Sequence, residues 1–299
     1  MVVIDNLNVK YNGKTALNIK SQIKFEDGDR IGIIGSNGAG KSTLVKAILG
    51  IVKYDGRIVT DIKPEQIAVH MQENNYVDTM SIKNIMEGLL CTKVKDNKRL
   101  RELIDFFDFE PCLKKRFKNL SGGQKQRMTI IMVLMQDSPL VFFDEVTSGL
   151  DFETRQQLMT KITKWYENKK TTICIVSHYY EELDNIVKKI LIIEKGQLVD
   201  YGDKDELFKK YCGHSVIVLD NTEKNRKLTM NFTKLVSPEH LIAVSCRDKE
   251  EQMDVTRVLI DNDVNFKRSN NDIEIMEINA KAVFNGEYEG GEDNEYKAI

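Results

Sequence analysis

The sequence has few of the features that mark secreted, membrane-spanning or metal-bound proteins. Its five cysteines are scattered, their number is odd and no CxxC pair occurs, which favours reduced thiols in a cytosolic compartment and argues against a zinc site. No basic segment followed by an apolar one opens the chain, so no secretory signal is expected. The longest apolar runs, 129–135 and 173–177, are far shorter than the ~20 residues that a membrane span needs.

The sequence also lacks an excess of charge of either sign. Its formal net charge is −2, which gives no general attraction to nucleic acid or to an anionic membrane, so no nucleic-acid partner is expected. Hydrophobic residues make up 41% and charged residues 30%, as in ordinary globular proteins. With 299 residues, the chain can form one large domain or two smaller ones, each with a core of its own.

Apolar strands and helices alternate through the first two thirds of the chain. Segments 2–10 and 15–25 flank Asn12-Gly13, a dipeptide typical of a hairpin turn. Further strands are predicted at 30–35, 67–71, 140–144 and 171–177, helices at 41–50, 82–91, 96–108, 152–168 and 181–188, and a last hairpin at Lys195-Gly196. This order predicts an α/β fold with a mainly parallel sheet, covered on both faces and interrupted by a helical insertion at 79–136.

The pattern changes after about residue 212. Segments 216–220, 241–246 and 273–278 are predicted as strands and 249–262 as a helix. Together they predict a small α+β module over residues 213–286, distinct from a first domain at 1–212. Residues 287–299 are acidic, contain glycine and are poor in aliphatic side chains, which is typical of a solvated tail.

Residues 35–42, GSNGAGKS, fit the phosphate-loop pattern G-x-x-x-x-G-K-[ST]. The motif follows an apolar strand and opens a helix, as its mechanism requires. Backbone N–H groups of 36–42 would surround phosphates, Lys41 would reach the β- and γ-phosphates, and Ser42 would give its hydroxyl to Mg²⁺. The alternative is a glycine-rich turn without a ligand.

Two adjacent acids, Asp144 and Glu145, end the predicted strand 140–144. Adjacent side chains on a strand point to opposite faces, so these two should have different roles. Asp144 would hold Mg²⁺, and Glu145 would orient or deprotonate the attacking water. Apolar strands also end in acids without any chemistry, and only the phosphate loop favours the catalytic interpretation.

Five segments resemble, in order, the motifs of the ATP-binding cassette (ABC) ATPases. They are GSNGAGKST (35–43), LSGGQKQR (120–127), LVFFDE (140–145), SGLD (148–151) and IVSH (175–178), with a lone Gln72 between the first two. The resemblance covers about residues 1–212. It implies the P-loop NTPase ABC fold, with an N-terminal antiparallel part and a helical subdomain at about 74–138.

The resemblance also implies roles for single residues. ATP and Mg²⁺ would be bound by Gly35, Ser36, Asn37, Gly38, Ala39, Gly40, Lys41, Ser42 and Thr43, and by the signature loop Ser121, Gly122, Gly123 and Gln124. Tyr11 would stack on adenine; the alternative is an ordinary strand aromatic. Gln72 would contact Mg²⁺ and water, Asp151 would cross a dimer interface, and His178 would contact the γ-phosphate. Val146 stands where the family usually has proline.

In this family two cassettes bind head to tail, and each ATP lies between one phosphate loop and the other subunit's signature loop. The resemblance therefore implies an ATP-dependent homodimer, or a dimer with a paralogous cassette. The leading hypothesis is the ATPase subunit of a membrane transporter, cytoplasmic and peripheral on the inner face of the membrane, with a separate transmembrane permease. The C-terminal module more weakly resembles that of bacitracin-resistance-like exporters and favours export. Alternatives are a soluble ABC ATPase of translation or cofactor assembly, and a nucleotide sensor that does not hydrolyse ATP.

Overall fold

The computed structural model describes residues 1–71, 76–289 and 297–298. The strands are β1 (Val2–Tyr11), β2 (Lys14–Ile19), β3 (Ile23–Phe25), β4 (Arg30–Ile34), β5 (Asp55–Thr60), β6 (Ile67–His70), β7 (Leu140–Asp144), β8 (Thr172–Val176), β9 (Lys189–Glu194), β10 (Gln197–Asp203), β11 (Ser215–Asp220), β12 (Lys234–Leu235), β13 (Leu241–Cys246), β14 (Phe266–Ser269), β15 (Tyr288–Glu289) and β16 (Lys297–Ala298). The helices are α1 (Lys41–Ile48), α2 (Ile82–Leu90), α3 (Lys98–Phe106), α4 (Gly122–Met135), α5 (Phe152–Tyr166), α6 (Tyr180–Asp184), α7 (Lys204–Cys212), α8 (Glu223–Leu228), α9 (Lys249–Asp261) and α10 (Ile273–Phe284).

A large sheet organises the first two thirds of the chain, and its strands run in the order β3-β1-β2-β10-β9-β4-β8-β7-β6, with β5 paired to β1. From β9 to β6 the neighbouring strands are parallel. All five residues of β7 and of β8 are buried, as expected of central strands with both faces covered. The predicted α/β fold with a mainly parallel sheet is confirmed.

The N-terminal part of the sheet is antiparallel, as predicted. β1 and β2 form the hairpin, with Tyr11 opposite Lys14 across the turn at Asn12-Gly13. The expected single strand at 15–25 is instead two strands, because β3 leaves β2 and pairs with the opposite end of β1, Val2 facing Phe25. Both Ile23 and Phe25 are fully buried there, so apolar burial rather than hairpin continuity decides their position.

The helical insertion lies between β6 and β7 and contains α2, α3 and α4. Its helices begin at side-chain caps: Ser81 accepts a hydrogen bond from the N–H of Asn84, and Asn97 from that of Leu100. Its apolar side chains belong to the same hydrophobic core as those of β7 and α5, and this packing fixes the insertion against these two elements. Helices α2, α3 and α4 lie in the segment where a helical insertion was predicted, and the bounds of the subdomain, about 74–138, stay a prediction.

Two predicted elements were wrong. The helix expected at 181–188 is only the short α6, which ends at Asp184. Segment 273–278, predicted as a strand from its alternation, is the first half of helix α10. The helix forms because Ile273, Met276 and Ala280 lie at helical spacing and are all buried, while Asp272 caps its start through the N–H of Ile275.

The residues after 212 form a second, four-stranded antiparallel sheet in the order β12-β13-β11-β14. Helix α9 packs Val255 and Leu259 on one face of it. On the other side α10 packs on α7, so that Met276 and Ala280 share a core with Phe208 and Tyr211 of the first domain. The α+β character of this module was predicted, whereas its shared core was not. The tail proposed at 287–299 lies mostly outside the described residues.

Candidate functional site

The phosphate loop connects β4 to α1 and is pressed against two other strands. Gly35 has a φ of 146°, and a Cβ there would lie 2.1 Å from the carbonyl oxygen of Ile193. Gly40 has a φ of 109°, and its Cβ would lie 3.0 Å from the oxygen of Ala16. Glycine at these two positions therefore permits both the backbone conformation and the close approach of neighbouring chain. The loop is fixed between the hairpin of β1 and β2 and the turn between β9 and β10.

Lys41 lies at the first position of α1 with its ammonium directed back into the loop. Its Nζ donates to the carbonyl oxygen of Gly35 at 2.7 Å and to that of Ser36 at 3.1 Å. The side chain is buried, and burial lowers its pKa, while the nearby carboxylates of Glu145, Glu277 and Asp144 act in the opposite direction. The ammonium is thus centred in the loop, at the position from which a phosphate oxygen would compete with the two carbonyls.

Ser42 and Asp144 bring a hydroxyl and a carboxylate together beneath the loop. Ser42 Oγ donates to Asp144 Oδ2 at 2.9 Å, across 102 residues of sequence. Burial raises the pKa of Asp144, and the charge of Glu145 adds to that effect. Hard oxygen ligands of this kind suit Mg²⁺, which takes one or two protein groups and completes its shell with phosphates and water. The pair fits Mg²⁺, which would neutralise phosphate charge when bound.

Glu145 and His178 face each other at the ends of neighbouring strands β7 and β8. Nδ1 of His178 lies 3.6 Å from Oε1 of Glu145. Glu145 has a φ of 49°, and its N–H donates to the carbonyl oxygen of Val176 at 2.9 Å, which ties the end of one strand to the other. The side chain of Glu145 is 16% exposed and that of His178 is 44% exposed, so both can be reached by a ligand or water.

A buried acid that sequence reasoning missed joins the two segments that carry these residues. Glu182 Oε2 accepts hydrogen bonds from Thr147 Oγ1 at 2.9 Å and from Ser177 Oγ at 3.1 Å. Burial raises the pKa of its carboxyl group. Because Thr147 follows Glu145 by two residues and Ser177 directly precedes His178, Glu182 fixes the spacing of the site. Val146, in the position of the family's proline, is buried in the hydrophobic core.

Lys41, Ser42, Glu145 and His178 line one cavity of about 580 Å³. Its lining comprises Asn37, Gly38, Ala39, Gly40, Lys41, Ser42, Thr43, Glu145 and His178, together with Thr15, Ala16, Lys195 and Gly196. The last four residues were not predicted. Thr15 and Ala16 belong to β2, and Lys195 and Gly196 form the turn between β9 and β10. The Lys195-Gly196 hairpin signal could have placed the last two there. The cavity can hold a polyphosphate among backbone N–H groups, an ammonium and a hydroxyl.

The signature loop stands apart from this cavity. Ser121 caps α4, its Oγ accepting from the N–H of Gln124 at 3.3 Å while Gln124 Oε1 accepts from the N–H of Ser121 at 3.2 Å. Ser121 and Gly122 are exposed. Asp151 caps α5 through Thr154, whose hydrogen bonds lower the pKa of that carboxyl group. Neither the signature loop nor Asp151 is among the described residues that line the cavity.

Three further predicted residues lie elsewhere. Tyr11 is exposed at the end of β1, outside the described lining of the cavity, although its neighbours Thr15 and Ala16 belong to that lining. Ser36 faces away from the cavity and donates from Oγ to Glu194 Oε2 at 2.5 Å. Gln72 lies outside the described residues, so its predicted contact with Mg²⁺ and water stays a prediction.

Known proteins are similar to this chain in sequence and in fold. The family model described as ABC transporter matches residues 20–148. The methionine import ATP-binding protein MetN of Clostridium tetani (strain Massachusetts / E88) is 31% identical over 72% of this chain and 73% of its own length. The chain belongs to the ABC transporter family. As an ABC ATPase subunit it binds ATP, and hydrolysis of ATP is its reaction.

Other relatives of this ABC subunit extend the match into its C-terminal module. MetN of Clostridioides difficile (strain 630) is 29% identical over 83% of this chain and 84% of its own length. The linearmycin resistance ATP-binding protein LnrL of Bacillus subtilis (strain 168) is 27% identical over 86% and 85%. The dimeric, post-hydrolysis structure of the cassette MJ0796, bound to ADP and Pi, covers 68% of this chain and 98% of its own with a TM-score of 0.61 at 23% identity, and confirms the ABC fold.

Proposed function

We propose that this ABC subunit works as an ATP-dependent dimer on a separate membrane protein and drives export of a small molecule or peptide. The observation that carries the proposal is the convergence of Lys41, Ser42, Glu145 and His178 on one cavity, with Asp144 hydrogen-bonded to Ser42. In it Lys41 would hold the phosphates, and Ser42 and Asp144 would hold Mg²⁺, which would neutralise phosphate charge. Glu145 would orient and deprotonate water, and His178 would contact the γ-phosphate. A complete set of this kind argues against a sensor that cannot hydrolyse ATP.

Dimerisation is supported by the position of the signature loop. Its residues Ser121 and Gly122 are exposed, and they are separate from the described lining of the chain's own cavity. A second copy, placed head to tail, would bring the N-terminus of α4 to the γ-phosphate held by the first copy, where the helix dipole favours negative charge. ATP would then bind the closed dimer more tightly than the open one and shift the population towards it.

Docking to a membrane subunit is supported by the surface of the helical insertion. Val77, Met80 and Leu89 are exposed apolar side chains on this part of the chain, and exposed apolar groups of this kind mark interaction surfaces where they cluster. None of the helices in the described residues has an apolar stretch that could span a bilayer. We propose a peripheral position on the cytoplasmic face of the membrane, with the helical insertion as the contact.

The direction of transport is the finer part of the proposal. Export is supported by the similarity to LnrL, a resistance protein, over 86% of the chain including the C-terminal module. Import is the second candidate, because MetN, a methionine import protein, matches 83% of the chain. Both matches extend beyond the cassette, so the extent of similarity does not separate the two directions. We expect the membrane partner, and not the ATPase site, to set the direction.

Purification from membranes under mild detergent, with the full chain tagged, tests the transporter proposal. A multi-span protein that copurifies and stimulates ATP hydrolysis is expected. Copurification with ribosomes and with no membrane protein would instead favour the soluble alternative, a role in translation.

The isolated complex also reports direction when it is placed in vesicles with the cassette outside. ATP added to the outer medium should then move substrate into the vesicle lumen if the complex exports, and out of it if the complex imports. An otherwise identical complex carrying Glu145→Gln gives the background flux. ATP-driven loss of substrate from the lumen would overturn the export proposal and leave the ATPase assignment intact.

A further inference from the structure

A continuous series of polar contacts runs from helix α10 of the C-terminal module to the phosphate loop. Ser36, the second residue of the loop, donates from Oγ to Glu194 Oε2 at 2.5 Å. Lys281 Nζ, on α10, lies 3.2 Å from the same carboxylate oxygen. One oxygen of Glu194, at the end of β9, thus joins two segments that are 245 positions apart, Ser36 and Lys281.

The ion pair between Glu194 and Lys281 is partly shielded from solvent, whereas Ser36 at the other end of the series is exposed. The side chain of Glu194 is 12% exposed and that of Lys281 is 21% exposed. Burial alone would raise the pKa of Glu194, yet the hydrogen bond from Ser36 and the charge of Lys281 hold it below its ordinary value. An ion pair in such a position is less screened by salt than an exposed pair, so it can fix geometry more strongly.

Lys281 is itself held in place by Glu277, one turn earlier on α10. Lys281 Nζ forms an ion pair with Glu277 Oε1, and the side chain of Glu277 is only 3% exposed. Removing the lysine alone would leave a buried carboxylate unpaired, which is costly. The position of the Lys281 ammonium beside Glu194 is therefore set by the fold of the C-terminal module.

Helix α10 also reaches the segment that follows His178. Burial raises the pKa of the Tyr180 phenol well above its ordinary value, and the carboxylate of Glu277 adds to this effect. Tyr180 opens α6 two residues after His178. The charge of Glu277 also raises the pKa of Lys41, whereas the charge of Lys281 lowers it. The module is thus in electrostatic contact with the phosphate loop and the histidine segment together.

We propose that Glu194 is a positioning residue for ATP binding, and that Lys281 of the C-terminal module sets its position. By holding the Ser36 hydroxyl, the Glu194–Lys281 pair restrains the start of a loop whose glycines otherwise allow many conformations. The N–H groups of the loop are then oriented before ATP arrives, which reduces the entropic cost of binding. The inference rests on ATP binding at Gly35–Ser42 and is independent of the membrane partner and of the direction of transport.

Glu194→Gln tests this role with little risk to the fold, since Lys281 keeps its pairing with Glu277. Loss of the charge-assisted contacts should weaken ATP binding, measured by calorimetry on the full chain, by about threefold to tenfold. The kcat of ATP hydrolysis should stay within about twofold and KM should rise, because the change affects binding of ground and transition states alike.

The part of the contact that α10 contributes is tested by combining Glu277→Gln with Lys281→Gln. This double variant removes both charges of the Glu277–Lys281 ion pair, so that neither partner is left as an unpaired buried charge. This double variant should weaken ATP binding to the same extent as Glu194→Gln. Adding Glu194→Gln to it should cause no further loss, because all three changes act on one contact. Lys281→Arg, which keeps the charge beside Glu194, should bind ATP nearly as the unmodified chain does.

Lys210→Gln is the matched control. It removes an ion pair of 2.7 Å between α7 and Asp200 of β10, and neither residue is among the described residues that line the cavity. Its ATP affinity should be unchanged, and thermal unfolding of every variant shows that each is folded. Unchanged affinity in Glu194→Gln, additive losses in the triple variant, or an equal loss in Lys210→Gln would each overturn the proposal.

Discussion

His70 Nε2 lies 2.8 Å from Gln126 Oε1, and this hydrogen bond joins the last residue of β6 to the helix that follows the signature loop. His70 is fully buried. Burial lowers its pKa from 6.5 to about 4, against the opposing effect of the contact with Gln126. The imidazole is therefore neutral in the folded protein at neutral pH, and it links the sheet to the helical insertion as an uncharged group.

The first prediction concerns acid stability. The pKa of His70 is lower in the folded state than in the unfolded state, so between pH 6.5 and about 4 the unfolded chain binds more protons. Stability should therefore fall as the pH falls through this window, by up to roughly 3 kcal/mol from His70 alone. His70→Gln, which keeps a hydrogen-bonding group, should lose that part of the slope in urea unfolding at a series of pH values. His240→Gln, at an exposed position, is the control and should keep it.

The second prediction concerns Glu145. Its replacement by glutamine keeps the size and removes the base, so ATP should still bind while turnover falls by about 10²-fold or more. Chromatography with ATP should then show a trapped dimer. Glu153→Gln, on the exposed start of α5, serves as the control with normal turnover. Near-normal hydrolysis by Glu145→Gln would contradict its assignment as the base.

The third prediction separates metal binding from nucleotide binding. Asp144→Asn removes the carboxylate that accepts from Ser42, and the affinity for ATP in the presence of Mg²⁺ should fall about tenfold. Affinity for ATP in the presence of a chelator should be unchanged or higher, because a negative charge close to the phosphates is gone. Calorimetric titration under both conditions measures the difference. Equal losses with and without Mg²⁺ would show that Asp144 supports the loop and not the metal.

The fourth prediction concerns the signature loop. A Cβ at Gly122 would lie 3.7 Å from Leu150 Cδ2, an ordinary contact, so Gly122→Asp should fold normally. It should bind ATP as a monomer with nearly unchanged affinity and hydrolyse it at less than about a hundredth of the normal rate, since a carboxylate would oppose the γ-phosphate of the second copy. Ser121→Arg should have the same effect, together with the loss of a helix cap.

Gly88→Asp provides the control for that substitution. It places the same charge on α2, where a Cβ would meet nothing within 4 Å, and should leave hydrolysis unchanged. If Gly122→Asp instead lost ATP binding outright, the signature loop would belong to the chain's own pocket and the dimer proposal would fail.

Local signals made much of the fold and of the site predictable. The phosphate loop and the acids at the end of β7 depend on residues within a few positions of each other, and the structure places both between the expected strands and helices. Segment 273–278 was misjudged because its Ile-Glu-Ile-Met-Glu-Ile alternation fits a strand over six residues. The helical spacing becomes evident only when Ala280 and the apolar face of α7 are included.

Contacts between distant parts of the chain were not predictable. Ser36 and Glu194 are 158 residues apart, and neither residue type identifies its partner. Glu182 resembled any surface acid of a short helix until the structure placed it between Thr147 and Ser177. Such pairs depend on strand order, which brings β9 and β8 on either side of β4.

The pairing of β6 with β7 has a mechanical consequence. The chain enters the helical insertion after His70 and returns from it before Leu140, and these strands are parallel neighbours, with Ile67 opposite Leu140 and His70 opposite Phe143. The two points at which the insertion joins the sheet, the end of β6 and the start of β7, therefore lie about 10 Å apart along the strand direction. Two points alone would leave the insertion free to turn about the line that joins them, and its apolar packing against β7 and α5 opposes that rotation. Directional contacts fix the angle further: the hydrogen bond between His70 and Gln126, and those of Lys161 with Asp108 and the carbonyl oxygen of Phe106. In the proposed dimer, these contacts would set the angle at which the signature loop faces the second copy.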